Sequence, residues 1–84
     1  MKWNEARKTY PNKFIVFESL NQFEDNSVLT VTDLAIIDVF DEIGEAFKYY
    51  SKLHKEDKKR PLNIGDTKKE ELTYNVKRLG VLRL

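Results

Sequence analysis

Between residues 14 and 47 the chain carries eight carboxylates and no lysine or arginine, and this separation of charge constrains its folding more than any other feature. Residues 1–13 hold four cations and one anion; residues 48–84 hold eleven cations and five anions. The segment charges are therefore +3, −8 and +6, so the near-neutral total of +1 hides an acidic middle between basic flanks. Opposite charges at these densities favour docking of the flanks onto the middle, within one molecule or between copies. The division organises a fold without naming a reaction.

At 84 residues the chain forms one domain, 1–84. A chain of this size buries only roughly 60% of the surface its unfolded form exposes and cannot support two cores. Charged residues make up 35%, but Trp3, five Phe and four Tyr supply enough apolar surface for folding. The chain has no cysteine, which excludes a disulfide framework, a thiolate zinc site and a cysteine nucleophile. The first residues are charged and amphipathic, with no apolar stretch of signal-peptide length. No apolar run approaches the ~20 residues of a membrane span, so no membrane association is expected and the default location is the cytoplasm.

Trp3, Ala6 and Tyr10 recur at helical spacing, and Pro11 closes that helix by disfavouring helical geometry at Tyr10. Residues 13–23, beginning with Phe14, Ile15, Val16 and Phe17, read as a strand. A polar break at 24–27 and a second strand over 28–40 complete an antiparallel hairpin. Asp41 is placed to cap a helix, with Glu42 and Glu45 in its first turn. Ile43, Ala46, Phe47, Tyr50 and Leu53 follow as its apolar stripe, and Lys48, Lys52 and Lys55 face the other way. The helix should end in the polar run 55–60 ahead of Pro61. Leu62 and Ile64 predict a short strand, Gly65 and Asp66 a turn, Thr67 and Glu70 the capping box of a brief helical turn through Leu72, and 74–84 a last strand with Gly80 as a bulge.

The second strand is apolar on both sides over Leu34, Ala35, Ile36 and Ile37, with Val39 beyond. A half-exposed antiparallel strand should alternate instead. One predicted helix covers one sheet face, so Leu34, Ala35, Ile36, Ile37 and Val39 are the candidate partner-binding residues, and a homo-oligomer, most simply a dimer, is expected.

The chemical candidates are sparse. His54 is the single histidine and lies in the last helical turn, where an imidazolium interacts favourably with the dipole; no partner groups it into a catalytic set. Asp38, Asp41, Glu42 and Glu45 cluster near the strand-to-helix junction, but their spacing matches no cation-binding loop. No catalytic residue, metal or cofactor is assigned. Lys55, Lys58, Lys59 and Arg60 are candidates for polyanion binding, although no aromatic residues interleave with them as a base-stacking surface requires, and the acidic middle opposes a nucleic acid.

The run 3–11, the strand 14–20, the stretch Ile36-Ile-Asp-Val-Phe-Asp41, the helix end Tyr50-Ser-Lys-Leu-His54 and the segment Thr67-Lys-Lys-Glu-Glu-Leu72 together resemble a group of small bacterial proteins of unknown function. The genes of that group often lie beside one for a retropepsin-like aspartyl protease, and the resemblance implies such a protease as a protein partner. It carries no catalytic residue across. This chain has Asp66 where the group commonly has His, and Leu79 where it commonly has Trp.

The expected architecture is α+β: an antiparallel sheet of about four strands, one main helix packed on one face and a short N-terminal helix. Phe14, Val16, Ile36, Phe47, Tyr50 and Leu53 are expected in the core. The leading functional expectation is a small non-enzymatic protein-interaction or accessory module; the alternative is a nucleic-acid-binding or regulatory module using the basic C-terminal half.

Overall fold

Pro11 stops the first helix where its ring demands, and α1 (Trp3–Thr9) buries Trp3 and Ala6 on one side. In the computed structural model, which describes residues 1–75, a long antiparallel hairpin follows. Its strands are β1 (Phe14–Asp25) and β2 (Val28–Phe40). The connection is tighter than the polar break implied. Asn26 and Ser27 alone make the turn, with φ of 51° and 64°, the pair of positive values that lets a two-residue turn match the twist of its strands.

Helix α2 (Ile43–Glu56) comes next, followed by β3 (Leu62–Asp66) and β4 (Thr73–Asn75). The sheet order is β3-β1-β2-β4, antiparallel throughout. The fold is thus the expected α+β arrangement of four strands, one main helix and a short N-terminal helix. The expected strand over 74–84 is represented by β4; Gly80 and the rest of it lie outside the described residues.

Three bulges govern which side chains meet. Pairing passes from Val16 opposite Asp38 to Phe17 opposite Ile36, leaving Ile37 without a partner residue. Closer to the tip, Leu20 on β1 and Thr32 on β2 are passed over in the same way. Each extra residue reverses the in-out phase of its strand and increases its bend. The inward residues of β2 therefore run Val31, then Leu34 and Ile36, then Val39, odd to even to odd. Simple alternation would put Leu34, Ile36 and Phe40 on one face and Ala35, Ile37 and Val39 on the other; the bulge at Ile37 instead brings Val39 to the side of Leu34 and Ile36. Phe40 instead lies on the α2 side, its ring 5.6 Å from that of Tyr49.

The principal core joins Trp3 and Ala6 of α1 to Ile15, Phe17, Val31, Leu34 and Leu72. Gly65 belongs to this layer: a Cβ there would lie 3.1 Å from Leu72 Cδ1, 3.2 Å from Trp3 Cη2 and 3.3 Å from Phe17 Cε1. On the opposite face, between Ile15 and Phe17, Val16 is fully buried, as is Ala46 of α2, and Leu62 is nearly so.

The helix α2 is rotated from the position expected of it. Ala46 is its fully buried residue; Tyr50 and Leu53 are half-buried, and Phe47 stands 60% exposed. Phe47 lies about 100° around the helix from Ala46, and the apolar arc from Leu53 to Phe47 is wider than the strip that the sheet covers. Phe47 therefore does not belong to the core; Phe14 and Ile36 are half-buried, and Val16 is fully buried as expected.

The segment between β3 and β4 also departs from expectation. Thr67 and Glu70 start no helical turn; Asp66 turns the chain instead, its carboxylate accepting the Lys68 N–H at 3.0 Å and its carbonyl the Lys69 N–H at 3.0 Å. Thr67 is buried and its hydroxyl accepts the Lys13 N–H at 2.9 Å while donating to the Lys13 carbonyl at 3.1 Å. Arg7 Nε donates to Thr67 O, Trp3 Nε1 to Lys69 O and the Val31 N–H to Leu72 O. The strap 67–72 is thereby held across α1 and the open side of the core.

Replacing Phe17 with Ala should cost about 3–5 kcal/mol of unfolding free energy, whereas Phe47→Ala should stay within about 0.5 kcal/mol. Urea unfolding followed by far-UV circular dichroism measures both, and the contrast should be plain in the midpoints.

Candidate functional site

The carboxylates near the strand-to-helix junction are spread among separate duties. Because Phe14 pairs with Phe40, Lys13 lies beside Asp41, and the two form an ion pair. Asp41 is consequently not the cap of α2; Glu42 occupies that position and makes no side-chain capping bond. Asp38 accepts the Val39 N–H through Oδ1. Among the described residues no group of acidic side chains and histidine is arranged to hold a metal ion. His54 lies in the last turn of α2, stacked on the Tyr50 ring at 5.7 Å.

The charge division is realised within the molecule. Among the described residues the ion pairs are Lys2 with Asp33, Lys13 with Asp41, and Arg60 with Glu18, each joining a basic flank to the acidic middle. Arg60 is thus held by Glu18, 2.8 Å from its guanidinium, while Lys55, Lys58 and Lys59 are exposed around the end of α2. The polyanion candidates are accordingly a short basic rim, broken by Glu56 and Asp57, with one of their number already paired.

The strand residues expected to bind a partner are not presented together. Leu34 is fully buried, Ile36 and Val39 pack against the core, Ile37 is half-buried in its bulge and Ala35 is exposed. The physical reason is the phase reversal at Ile37, which turns what reads as two apolar sides into one.

Among the described residues apolar surface emerges elsewhere, at Met1 and at two places further along the chain. Near the hairpin tip, Leu20 is 59% exposed in its bulge and Phe23 55% exposed three residues on. On α2, Ile43 is 52% exposed and Phe47 60%. The Phe47 ring is 6.4 Å from Tyr50, which stacks on His54, so Ile43, Phe47, Tyr50 and His54 form one stripe along the helix. A depression beside Ile43, lined also by Phe14, Ile64 and Tyr74, continues that stripe onto the sheet. Sequence reading missed this shoulder because it counted Phe47 into the core; the width of the apolar arc on α2 was the available signal.

Two titrating groups are displaced from their ordinary values. The hydrogen bond from Lys2 Nζ at 2.8 Å, aided by its charge and opposed by desolvation, lowers Asp33 below the usual 3.8. Burial raises Tyr74 above the usual 10; its hydroxyl donates to Ile64 O at 2.7 Å. That bond links β4, at one sheet edge, to β3, at the other, across the bent hairpin.

Compared with known proteins, the chain matches no family model, no curated relative and no solved structure. No helix of the described residues is long and apolar enough to cross a membrane.

The lowered Asp33 value means that its pairing stabilises the fold above the ordinary carboxylate range and that this contribution is lost as pH falls through the folded-state value. Lys2→Met should move the Asp33 titration, followed by NMR of its carboxyl carbon, upward toward the ordinary value. The raised Tyr74 value has the opposite sign: the neutral phenol's contribution is complete below pH 10 and is lost as pH rises past it. Tyr74→Phe should remove about 1 kcal/mol and abolish that alkaline dependence in denaturation measured between neutral and high pH.

Proposed function

We propose that this chain is a small protein-interaction module that acts as an accessory to a protein partner rather than as an enzyme. The observation that carries the reading is the exposure of Leu20 and Phe23 near the hairpin tip and of Ile43 and Phe47 on α2. Large apolar side chains side by side at the surface, as Phe47 and the half-buried Tyr50 are on α2, are a feature of surfaces that another macromolecule covers. Among the described residues three ion pairs join the flanks to the middle, so part of the charge is engaged within the molecule. On the resemblance of the sequence to the small bacterial group, a retropepsin-like aspartyl protease is the first partner to test.

The test is co-purification of the tagged chain from its source cells, alongside a Leu20→Glu, Phe23→Glu variant. A single protein recovered at near-stoichiometric yield, insensitive to nuclease and reduced at least about tenfold by the variant, is the expected outcome. Recovery of nucleic acid that disappears at moderate salt would replace the reading with polyanion binding by Lys55, Lys58 and Lys59.

A further inference from the structure

We infer that β3, an outer strand of the sheet, is sealed against the addition of another strand, and that Asn63 and Tyr74 are the residues that seal it. An outer strand presents a row of N–H and C=O groups on which a second chain can pair, and a folded protein has to blunt that row. The Thr67 N–H donates to Lys13 O and the Ser19 N–H to Pro61 O, so the odd-numbered residues along β3 turn their backbone groups toward β1. Leu62, Ile64 and Asp66 therefore turn theirs outward.

Those outward groups already have partners. The Ile64 N–H donates to Asn63 Oδ1 at 2.9 Å, and the Ile64 carbonyl accepts from the Tyr74 hydroxyl at 2.7 Å. On either side, the Leu62 N–H donates to Arg60 O at 2.8 Å, and the Asp66 carbonyl accepts from the Lys69 N–H at 3.0 Å. Ile64 is the middle residue of the five in β3. Its two groups are the ones that an antiparallel neighbour, a second β3 above all, would have to engage at the centre of the pairing. Bonds made within the chain carry none of the entropy cost of bringing two molecules together, so the side chains hold these groups against a second copy.

The same device stands at the base of β2. There the Val39 N–H donates to Asp38 Oδ1 at 2.8 Å, Met1 takes both outward groups of Leu34, and the bulge at Ile37 breaks the row between them. Asn and Asp are depleted in strands; at 63 and 38 each caps the outward N–H of the residue that follows it. Copies of this chain therefore do not join sheet to sheet at β3, and a protein that approaches that edge meets side chains in place of open backbone.

The experiment compares full-length Asn63→Asp, Asn63→Val and the double variant Asn63→Val, Tyr74→Phe with the wild type. Asn63→Asp keeps an acceptor oxygen in place and should leave hydrogen exchange of the Ile64 amide unchanged. Asn63→Val should speed that exchange at least about fivefold in dilute solution, the effect of losing one hydrogen bond. The double variant, with its fold verified by far-UV circular dichroism, frees both groups of Ile64 and should form dimers in sedimentation velocity as its concentration rises, with Ile64 exchange slowing in step.

An Ile64 amide that exchanges at the wild-type rate in Asn63→Val would overturn the inference even where the double variant does not fold. A folded double variant that sediments as the wild type does at every concentration, or a wild-type Ile64 amide whose exchange slows with concentration, would overturn it equally. None of these measurements involves Leu20, Phe23, Ile43 or Phe47, so the interaction-module reading stands or falls on its own test.

Discussion

The close approach around Gly65 holds this fold together. Trp3 of α1, Phe17 of β1 and Leu72 of the strap converge on a position where even a methyl group would crowd all three. The Trp3 indole adds a hydrogen bond to Lys69 O, so one side chain both fills the core and ties down the strap above it. An 84-residue chain has few buried side chains with which to offset the entropy of ordering. Concentrating four distant segments on one point makes those contacts mutually dependent. Thr67 completes the arrangement by satisfying both backbone groups of Lys13 where the strap crosses the start of β1.

Charge plays a directing part around that core. Lys2, Lys13 and Arg60 each reach from a basic flank to a carboxylate of the acidic middle, at three separate places along it. Exposed pairs of this kind contribute little individually, but wrong dockings of the flanks would leave Glu18, Asp33 and Asp41 without these counter-charges. The ion pairs thus act mainly as selectors of arrangement, while Phe17, Ile15 and Leu34 supply the stabilisation.

The same economy leaves apolar surface outside. The layer under α2 is thin, with Ala46 its fully buried helix residue, and the helix turns its aromatic shoulder away from the sheet. Phe47, Tyr50 and His54 are neighbours there, while Leu20 and Phe23 are each exposed on β1.

Local rules in the sequence determined much of this protein. Pro11 ended α1, the β-branched and aromatic run at 14–17 made a strand, the polar break near Asn26 made a hairpin, and the acidic-to-basic gradient of 42–55 made α2. The +3, −8, +6 division foretold which segments would be joined by ion pairs. Tertiary structure alone decided the faces. A strand's in-out pattern is a count of two, and the bulges at Leu20, Thr32 and Ile37 reset that count without any mark in composition. The five-residue apolar arc of α2 likewise could not say which edge the sheet would cover; that followed from Ala46, whose small side chain lets the helix sit close and leaves Phe47 to solvent. The register of Phe14 with Phe40 drew Asp41 away from capping and onto Lys13. In each case the deciding quantity was a contact between segments far apart in the chain, which no local pattern encodes.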